Sequence, residues 1–305
     1  MNTSDTLDTL FSEAVSAIDV GDVASLERLL EANPLLVRDR LESPGAWLRD
    51  KVGGALDGFF KAPYLLWFVA EDPVRNGKLP QEIGRVTRTI IEIAQRQAVE
   101  TLQDQIDHAL RLVCWSWIAR DCGVQIELID VLLDAGASPD GWTTYEGRYG
   151  THCDAAIYNR NYAAAEHLLK RGASPTLTSA VGLQRWHDVE VLIRSATREE
   201  QEAAFVQAAM NGQAEALRRM LTLGMAATTV SDRNQSHATA VHHAVWSGNV
   251  DAVRALVEAG ADLSRRDTIY GGTPLGWALH AEQTDATRAE QYREIVSYLR
   301  EHGAQ

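Results

Sequence analysis

Apolar residues recur along the chain at the three- and four-residue spacing of amphipathic helices, in short blocks separated by polar turns. Five of these blocks end alike, in a pair of apolar residues followed three or four positions later by a glycine. A helix commonly ends on a residue in the left-handed conformation, which glycine adopts most readily. The pattern therefore predicts five helix ends, at Gly136, Gly172, Gly224, Gly260 and Gly303.

The intervals between these glycines are 36, 52, 36 and 43 residues, so the interval of 52 is too long for one unit. Residues Thr178–Ile193 fit there as a degenerate unit that lacks its own glycine. At the C-terminus, Tyr292–Glu301 is predicted to close the array.

The N-terminal part is less regular but follows the same plan. Ser12–Pro34 is predicted to form a first, capping unit. Lys61–Ala70 and Val86–Ala98 are predicted to form the helices of the second, with Asp72–Gln81 as an inserted loop. A third helix pair is expected at Ile106–Ala119 and Val124–Asp134, which brings the total to about eight units.

The repeated block resembles the ankyrin repeat, a unit of about 33 residues whose turn carries T-P-L-H-x-A. The segment His237–Ala244 (HATAVHHA) and the segment Gly272–Ala278 (GTPLGWA) carry this resemblance. It implies an all-α ankyrin-repeat solenoid of helix-turn-helix units. We expect one elongated domain over residues 1–305, divergent over 1–125 and regular over 126–305.

The resemblance is not uniform along the chain. His152 and Ala240 stand where the motif has proline, and Arg160 and Gln184 stand where it has the glycine between the two helices. The resemblance implies a recognition scaffold, usually for another protein, with no cofactor and no chemistry of its own.

The charge balance narrows the class of partner. The chain has 29 basic and 42 acidic residues, a formal net charge of −13 and an isoelectric point near 5.1. Such a balance argues against nucleic acid, and the pair Arg265-Arg266 is interpreted as a solvated loop tip. We expect a partner protein with a basic or mixed-charge surface.

Three cysteines form an odd and sparse set that does not make a disulfide framework in 305 residues, which suggests a reducing compartment. No apolar run is long enough to span a bilayer, and the N-terminus is acidic and amphipathic, unlike a signal peptide. A cytoplasmic protein is therefore expected, with no membrane association.

Catalytic and metal sites are not expected. Cys153 occupies a turn-motif position and should point inward, Cys114 and Cys122 do not match a zinc site, and no glycine-rich phosphate loop is present. The sequence therefore predicts no catalytic residue, metal or cofactor.

The two adjacent histidines of the motif are expected to differ. His242 occupies the histidine position of T-P-L-H, where the ring commonly bonds the backbone of the neighbouring repeat. His243 falls at the exposed position of the first helix, on the concave side of the stack. Positions three apart share a helical face, and the equivalent pairs along the array are Ala155 with Tyr158, Gln207 with Met210, His243 with Trp246, and Trp277 with His280.

Aromatic side chains are enriched at binding hot spots, and the loops that join the units, the fingers, border the same groove. The predicted partner-binding residues are Tyr158, Met210, His243, Trp246, Trp277 and His280 on the helices, and Trp142 and Tyr145 on a finger. For Tyr149 and Tyr270, exposure and packing against a neighbouring finger stay equally open.

Two functions remain. The first is a protein-interaction scaffold that grips a partner through its concave face and fingers. The alternative is an enzyme, or a small-molecule or metal-binding protein, with a pocket lined by His243, His280, Asp267 and Glu282. The oligomeric state is not predicted.

Overall fold

The computed structural model describes residues 3–141 and 150–305 of the chain, and every regular element in these residues is helical. They cluster into two compact units, one reaching to Ser174 and the other starting at Pro175. The predicted division at residue 125 stays a prediction, as does the single domain.

Unit 1 contains ten α-helices and two 3-10 helices in its described residues. In chain order they are α1 Thr3–Val20, α2 Val23–Ala32, α3 Leu35–Arg38, α4 Ala46–Val52, 3-10 helices Gly53–Asp57 and Leu65–Ala70, α5 Ile83–Arg96, α6 Leu102–Trp115, α7 Trp117–Asp121, α8 Gln125–Asp134, α9 His152–Tyr158 and α10 Tyr162–Lys170. Eight of these elements pack in two rows. The inner row is α1, the 3-10 helix Leu65–Ala70, α6 and α9, and the outer row is α2, α5, α8 and α10.

Unit 2 consists of four regular helix pairs. They are α11 Leu177–Gly182 with α12 Trp186–Leu192, α13 Arg198–Met210 with α14 Ala214–Thr222, α15 Ala240–Ser247 with α16 Val250–Glu258, and α17 Pro274–Thr284 with α18 Ala289–Glu301. The first helices α11, α13, α15 and α17 pack side by side as an inner row. The two units together hold eight helix pairs in the described residues, in agreement with the predicted number.

Threonine begins the first helix of each regular pair. Thr151, Thr176, Thr197, Thr239 and Thr273 are the N-cap residues of α9, α11, α13, α15 and α17. In the first four, the residue three positions on accepts a hydrogen bond from the backbone N–H of the threonine, which satisfies a donor that the helix leaves open. The degenerate unit is thus real, since α11 and α12 form a helix pair at the predicted position and Thr176 caps α11, two residues before the predicted start.

Small side chains fill the contact between inner helices in unit 2. Ala204, Ala208, Ala240, Ala244 and Ala278 are each at most 1% exposed. Alanine lets neighbouring backbones approach closely, while Phe205, Leu217, Leu256 and Leu299 fill the wider space between the rows.

The turns follow the prediction even where glycine is replaced. The five helix-end glycines all have positive φ, and so do the inter-helix residues Arg160 (φ 58°) and Gln184 (φ 56°) that replace glycine. The two residues therefore have a left-handed backbone conformation, which is unfavourable for any residue other than glycine.

Two N-terminal elements differ from the prediction. The helix expected at Lys61–Ala70 is a 3-10 helix limited to Leu65–Ala70, because Ala62 has φ 44° and Pro63 follows it, and Glu71 at φ 50° ends it. The helix expected at Ile106–Ala119 starts earlier, at Leu102, and breaks at Ser116, whose hydroxyl accepts from the Ala119 N–H and caps α7.

The inserted loop at Asp72–Gln81 is confirmed and is tied to the inner row. The Arg75 side chain is 2% exposed and lies 2.9 Å from the Glu71 carboxylate and 2.8 Å from that of Asp19 in α1. Glu71 also accepts from the backbone N–H groups of Arg75, Asn76 and Gly77. These bonds give the loop a fixed shape.

Candidate functional site

The candidate site lies in unit 2, where the finger of residues 265–272 meets α15 and α17. A single carboxylate organises this finger. Asp267 accepts hydrogen bonds from the backbone N–H groups of Ile269 (2.9 Å), Tyr270 (2.6 Å) and Gly272 (2.8 Å), and from the indole N–H of Trp277 (2.9 Å). Burial alone would raise the pKa of Asp267, but the donors outweigh burial and hold the pKa well below its usual range. The finger is therefore built around a permanent negative charge.

The neighbouring finger is joined to this one by main-chain bonding. The Thr268 N–H donates to the His237 carbonyl at 2.9 Å. The His237 ring lies 6.2 Å from the Tyr270 ring and 5.8 Å from the Trp277 ring, measured between centroids. Trp277 in turn lies 6.1 Å from Trp246, with the two rings nearly perpendicular.

We call Tyr270, His237, Trp277 and Trp246 the aromatic row. It runs from the finger tip to the second turn of α15. Its two ends are open, with Tyr270 77% and Trp246 52% exposed, and the adjacent Ile269 is 63% exposed. Trp277 and His237 are half-buried in the middle and support the ends.

His242 holds the repeat together, as predicted. Its Nδ1 accepts from the backbone N–H of Thr239 at 3.3 Å. Its Nε2 donates to the carbonyl of Gly272, in the finger before the next helix pair, at 3.2 Å. Burial lowers the pKa of His242, which keeps the ring neutral for this pattern of one acceptor and one donor.

His243 is a correction to the sequence prediction, because its ring is only 4% exposed and does not line an open groove. The rings of His237 and Trp277 lie 6.1 and 6.2 Å away and cover it. Among the described residues its Nε2 has no hydrogen-bond partner. Burial and the nearby His237 lower the pKa of His243 to about 4.

The other predicted site residues are placed as follows. His280 is exposed on α17 and Met210 is half-buried at the end of α13. Tyr158 is half-buried in unit 1, where its ring lies 5.3 Å from that of Trp115. Trp142 and Tyr145 lie outside the described residues, as does Tyr149.

Two of the four residues predicted to line a pocket for a small molecule or metal do not offer free groups to a ligand. His243 is buried, and Asp267 is engaged by four donors of its own finger and α17. Glu282 faces Arg293 at 3.7 Å. In residues 3–141 and 150–305, no group of three or more histidine, cysteine or acidic residues has the arrangement of a metal site.

Sequence reasoning missed the contribution of His237 and Ile269. His237 precedes the turn motif, and Ile269 is an isolated apolar residue in a polar loop, so neither belongs to a helical pattern. The only signal was the density of aromatic residues between 237 and 277. The exposure of Tyr270 settles the alternative left open for this residue.

Cys153 is buried at the start of α9, as predicted, and burial raises the pKa of its thiol to about 12. Cys114 is buried as well, and none of the three cysteines is in a disulfide. In the part of the chain that the structure describes, no helix has the length and apolar content needed to cross a bilayer.

Comparison with known proteins gives two findings. A family model for ankyrin repeats, in three copies, matches residues 183–267. Among solved structures, the ankyrin repeat domain of human ASB11 is 19% identical in sequence. That match covers 68% of this chain and 96% of that chain, with a TM-score of 0.34.

Proposed function

The chain carries ankyrin repeats, and on that premise we propose that it binds a partner protein through the aromatic row and the adjacent Ile269. The all-α repeat fold predicted from the turn motif is confirmed by the helix pairs and the family match. Ankyrin repeats are generally protein-interaction modules. The choice of this surface is our proposal.

The observation that carries the proposal is the combination of exposed aromatic ends with a rigid support. Tyr270 and Trp246 together with Ile269 present large apolar area, and such residues supply most of the energy at hot spots. Asp267 and His242 fix the finger before a partner arrives. Less conformational entropy is then lost on binding.

The nature of the partner is proposed from charge and ring chemistry. The net charge of −13 favours a partner with a basic or mixed-charge surface, and exposed indole and phenol faces attract cationic side chains. Three free thiols agree with a reducing compartment, and we infer a cytoplasmic location from them.

The test compares two exposed-tryptophan variants of the full chain. The double variant Trp246→Ala with Tyr270→Ala removes both ends of the row but leaves Trp277 and its bond to Asp267 in place. The matched control is Trp117→Ala in unit 1, because Trp117 is 49% exposed, close to the 52% of Trp246.

Affinity capture followed by binding measurements on each captured partner should separate the variants. We expect a partner that wild type and Trp117→Ala bind alike, and that the double variant binds at least tenfold more weakly. Equal binding by all three proteins would remove the aromatic row as the contact surface.

A further inference from the structure

The His243 ring, which the aromatic row covers, holds a polar atom that the fold leaves unused. Among the residues that the structure describes, its buried Nε2 has no hydrogen-bond partner. The main-chain carbonyls of Gln235 and Ala238 hydrogen-bond the ring. Since Nε2 has no partner, these acceptors act on Nδ1, which therefore carries the proton. The pKa of about 4 keeps the imidazole neutral, so Nε2 is a buried acceptor without a donor.

The two rings that cover His243 are held in different ways. Trp277 is fixed by its indole N–H, which donates to the Asp267 carboxylate at 2.9 Å. The His237 ring makes ring contacts but no hydrogen bond within residues 150–305. Its main chain is anchored separately, because the His237 carbonyl accepts from the Thr268 N–H. The His237 side chain can therefore rotate outward without breaking a hydrogen bond and without moving its backbone.

The three rings converge on one another. The centroids of His237 and His243 are 6.1 Å apart, those of His243 and Trp277 6.2 Å, and those of His237 and Trp277 5.8 Å. The plane of His237 is tilted by 32° from that of Trp277 and is nearly perpendicular to that of His243. When His237 rotates outward, it leaves a flat space bordered by Trp277, His243 and Tyr270. We call this space the slot.

We propose that the His237 ring is a lid over the slot, and that the slot takes one arginine side chain of the partner protein, whose guanidinium lies against Trp277 and donates to Nε2 of His243. This inference rests on the proposed function, because it names the side chain that the aromatic row receives. A guanidinium is planar, carries only hydrogen-bond donors and stacks on aromatic rings. It therefore matches a flat space that has an aromatic side and an unpaired acceptor.

The charge around the slot favours a cation. The carboxylate of Asp267 is hydrogen-bonded to the Trp277 indole, so its negative charge lies at the edge of this ring. A carboxylate in this place strengthens the attraction of the indole for a cation. An ammonium group is compact and strongly hydrated, so it fills a flat space less well than a guanidinium does. Arginine is therefore expected in preference to lysine.

The experiment is titration of the full-length chain with three blocked tripeptides, followed by NMR of the imidazole nitrogens. The central residue is arginine, lysine or citrulline, and citrulline has the shape of arginine without its charge. We expect the arginine peptide to bind most tightly, and the signal of His243 Nε2 to shift in the direction of an accepted hydrogen bond. Failure of the arginine peptide to bind, or equal binding by the citrulline peptide, overturns the proposal.

His243→Phe tests the acceptor, because it keeps a ring in place and removes Nε2. The arginine peptide should bind about tenfold more weakly to this variant. His187→Phe is the matched control, since His187 is an exposed ring on α12, and it should bind as wild type does. Unchanged affinity in His243→Phe, or equal weakening in His187→Phe, contradicts the proposal.

His237→Ala tests the lid, because it removes the ring but keeps the carbonyl that accepts from Thr268. The arginine peptide should bind about three- to tenfold more tightly to this variant, because no closed form has to open first. A fixed wall would give the opposite result, since its removal takes away contacts. Unchanged or weaker binding therefore overturns the lid.

This inference and the proposed function can fail separately. If capture of a partner depends on Trp246 and Tyr270 but the arginine peptide does not bind, the aromatic row remains the contact surface and the slot is wrong. If the variant Trp246→Ala with Tyr270→Ala captures every partner as wild type does, the contact surface itself is wrong.

Discussion

His243 shows how a single ring can occupy a position that helical spacing assigns to solvent. Its place in the repeat predicts exposure, yet His237 and Trp277 cover it. That covering depends on the Thr268 N–H bonding the His237 carbonyl, a contact between residues 31 positions apart. No periodic pattern in α15 contains this information, so the burial could not be predicted from the helix alone.

Replacing His243 by Phe should reduce the loss of unfolding free energy as the pH falls. The folded-state pKa of His243, about 4, lies below the unfolded value of 6.5, so the unfolded chain binds the proton first as pH falls. The stability tied to neutral His243 is present above pH 6.5 and is lost as pH falls toward 4. Between pH 7 and 5 wild type should lose about 2 kcal/mol more unfolding free energy than the variant.

Urea unfolding at pH 7 and pH 5 measures this difference. His280→Phe is the control, because His280 is an exposed ring on α17. Asp72, whose pKa is raised to about 7, favours the folded state as pH falls, but it contributes equally to all three proteins. Parallel pH profiles for wild type and His243→Phe would contradict the prediction.

Asp267 is expected to be the most sensitive side chain of the finger. Asp267→Ala leaves three backbone N–H groups and the Trp277 indole without their acceptor, and we expect a loss of about 2–4 kcal/mol in unfolding free energy. Urea unfolding followed by tryptophan fluorescence reports it. Asp262→Ala, which loses only local bonds to Ser264, should cost under about 1 kcal/mol. Similar losses in both variants would mean that the finger is not built on Asp267.

At the scale of elements, we expect substitutions in two turns between paired helices to have opposite effects on stability. Gln184 has φ 56°, so Gln184→Gly should relieve strain and stabilise the protein by about 0.5–1 kcal/mol. At Gly212, φ is 69° and an added Cβ would lie 2.8 Å from Cβ of Asn249. Gly212→Ala should therefore destabilise by about 1–3 kcal/mol.

Thermal melts of the two single variants test both signs. The sign of each change in stability is the test, because both positions have positive φ and only their surroundings differ. A lower melting temperature for Gln184→Gly, or an unchanged one for Gly212→Ala, would contradict it.

The helix pairs were predictable wherever apolar spacing and turn residues agree. The degenerate pair α11 and α12 was found this way, although it lacks its terminal glycine. The 3-10 helix Leu65–Ala70 was not, because KAPYLLWFVA is apolar after Lys61 and so shows no periodicity, and its backbone is set by Ala62 and Glu71 at positive φ. The stacking of Trp67 on His108 of α6, with ring centroids 3.7 Å apart, was also missed, since the register between these two elements depends on that irregular backbone.

At the scale of the whole molecule, each helix pair packs mainly on its neighbours. The loss of stability caused by a core substitution in unit 2 should therefore stay local to the adjacent pairs. Tyr292 is 1% exposed, and its hydroxyl donates to the Trp246 carbonyl at 3.0 Å. Tyr292→Ala should remove about 3–5 kcal/mol of packing between the last two pairs. Nearest-neighbour coupling predicts that α17 and α18 lose protection first.

Hydrogen exchange read by mass spectrometry distinguishes local from global loss. We expect faster exchange in α15–α18 and unchanged exchange in α11 and α12. Tyr298→Ala, at a half-buried ring that contacts Arg254 of α16, is the control and should affect α16 and α18 but not α15. Uniform acceleration throughout unit 2 would show that it unfolds as one cooperative block.

The threonine caps of the inner helices have a consequence for how such a chain diverges. Asp154, Ser179, Glu200 and His242 do the same job for the threonine three positions before them. His242 also uses a second atom, Nε2, to reach the Gly272 carbonyl before the next helix pair. What this position requires is therefore an atom that accepts a hydrogen bond, and four residue types supply one. The residue at this position can therefore change type while the turn keeps its structure. Such a change alters the surface of a helix pair without altering the fold.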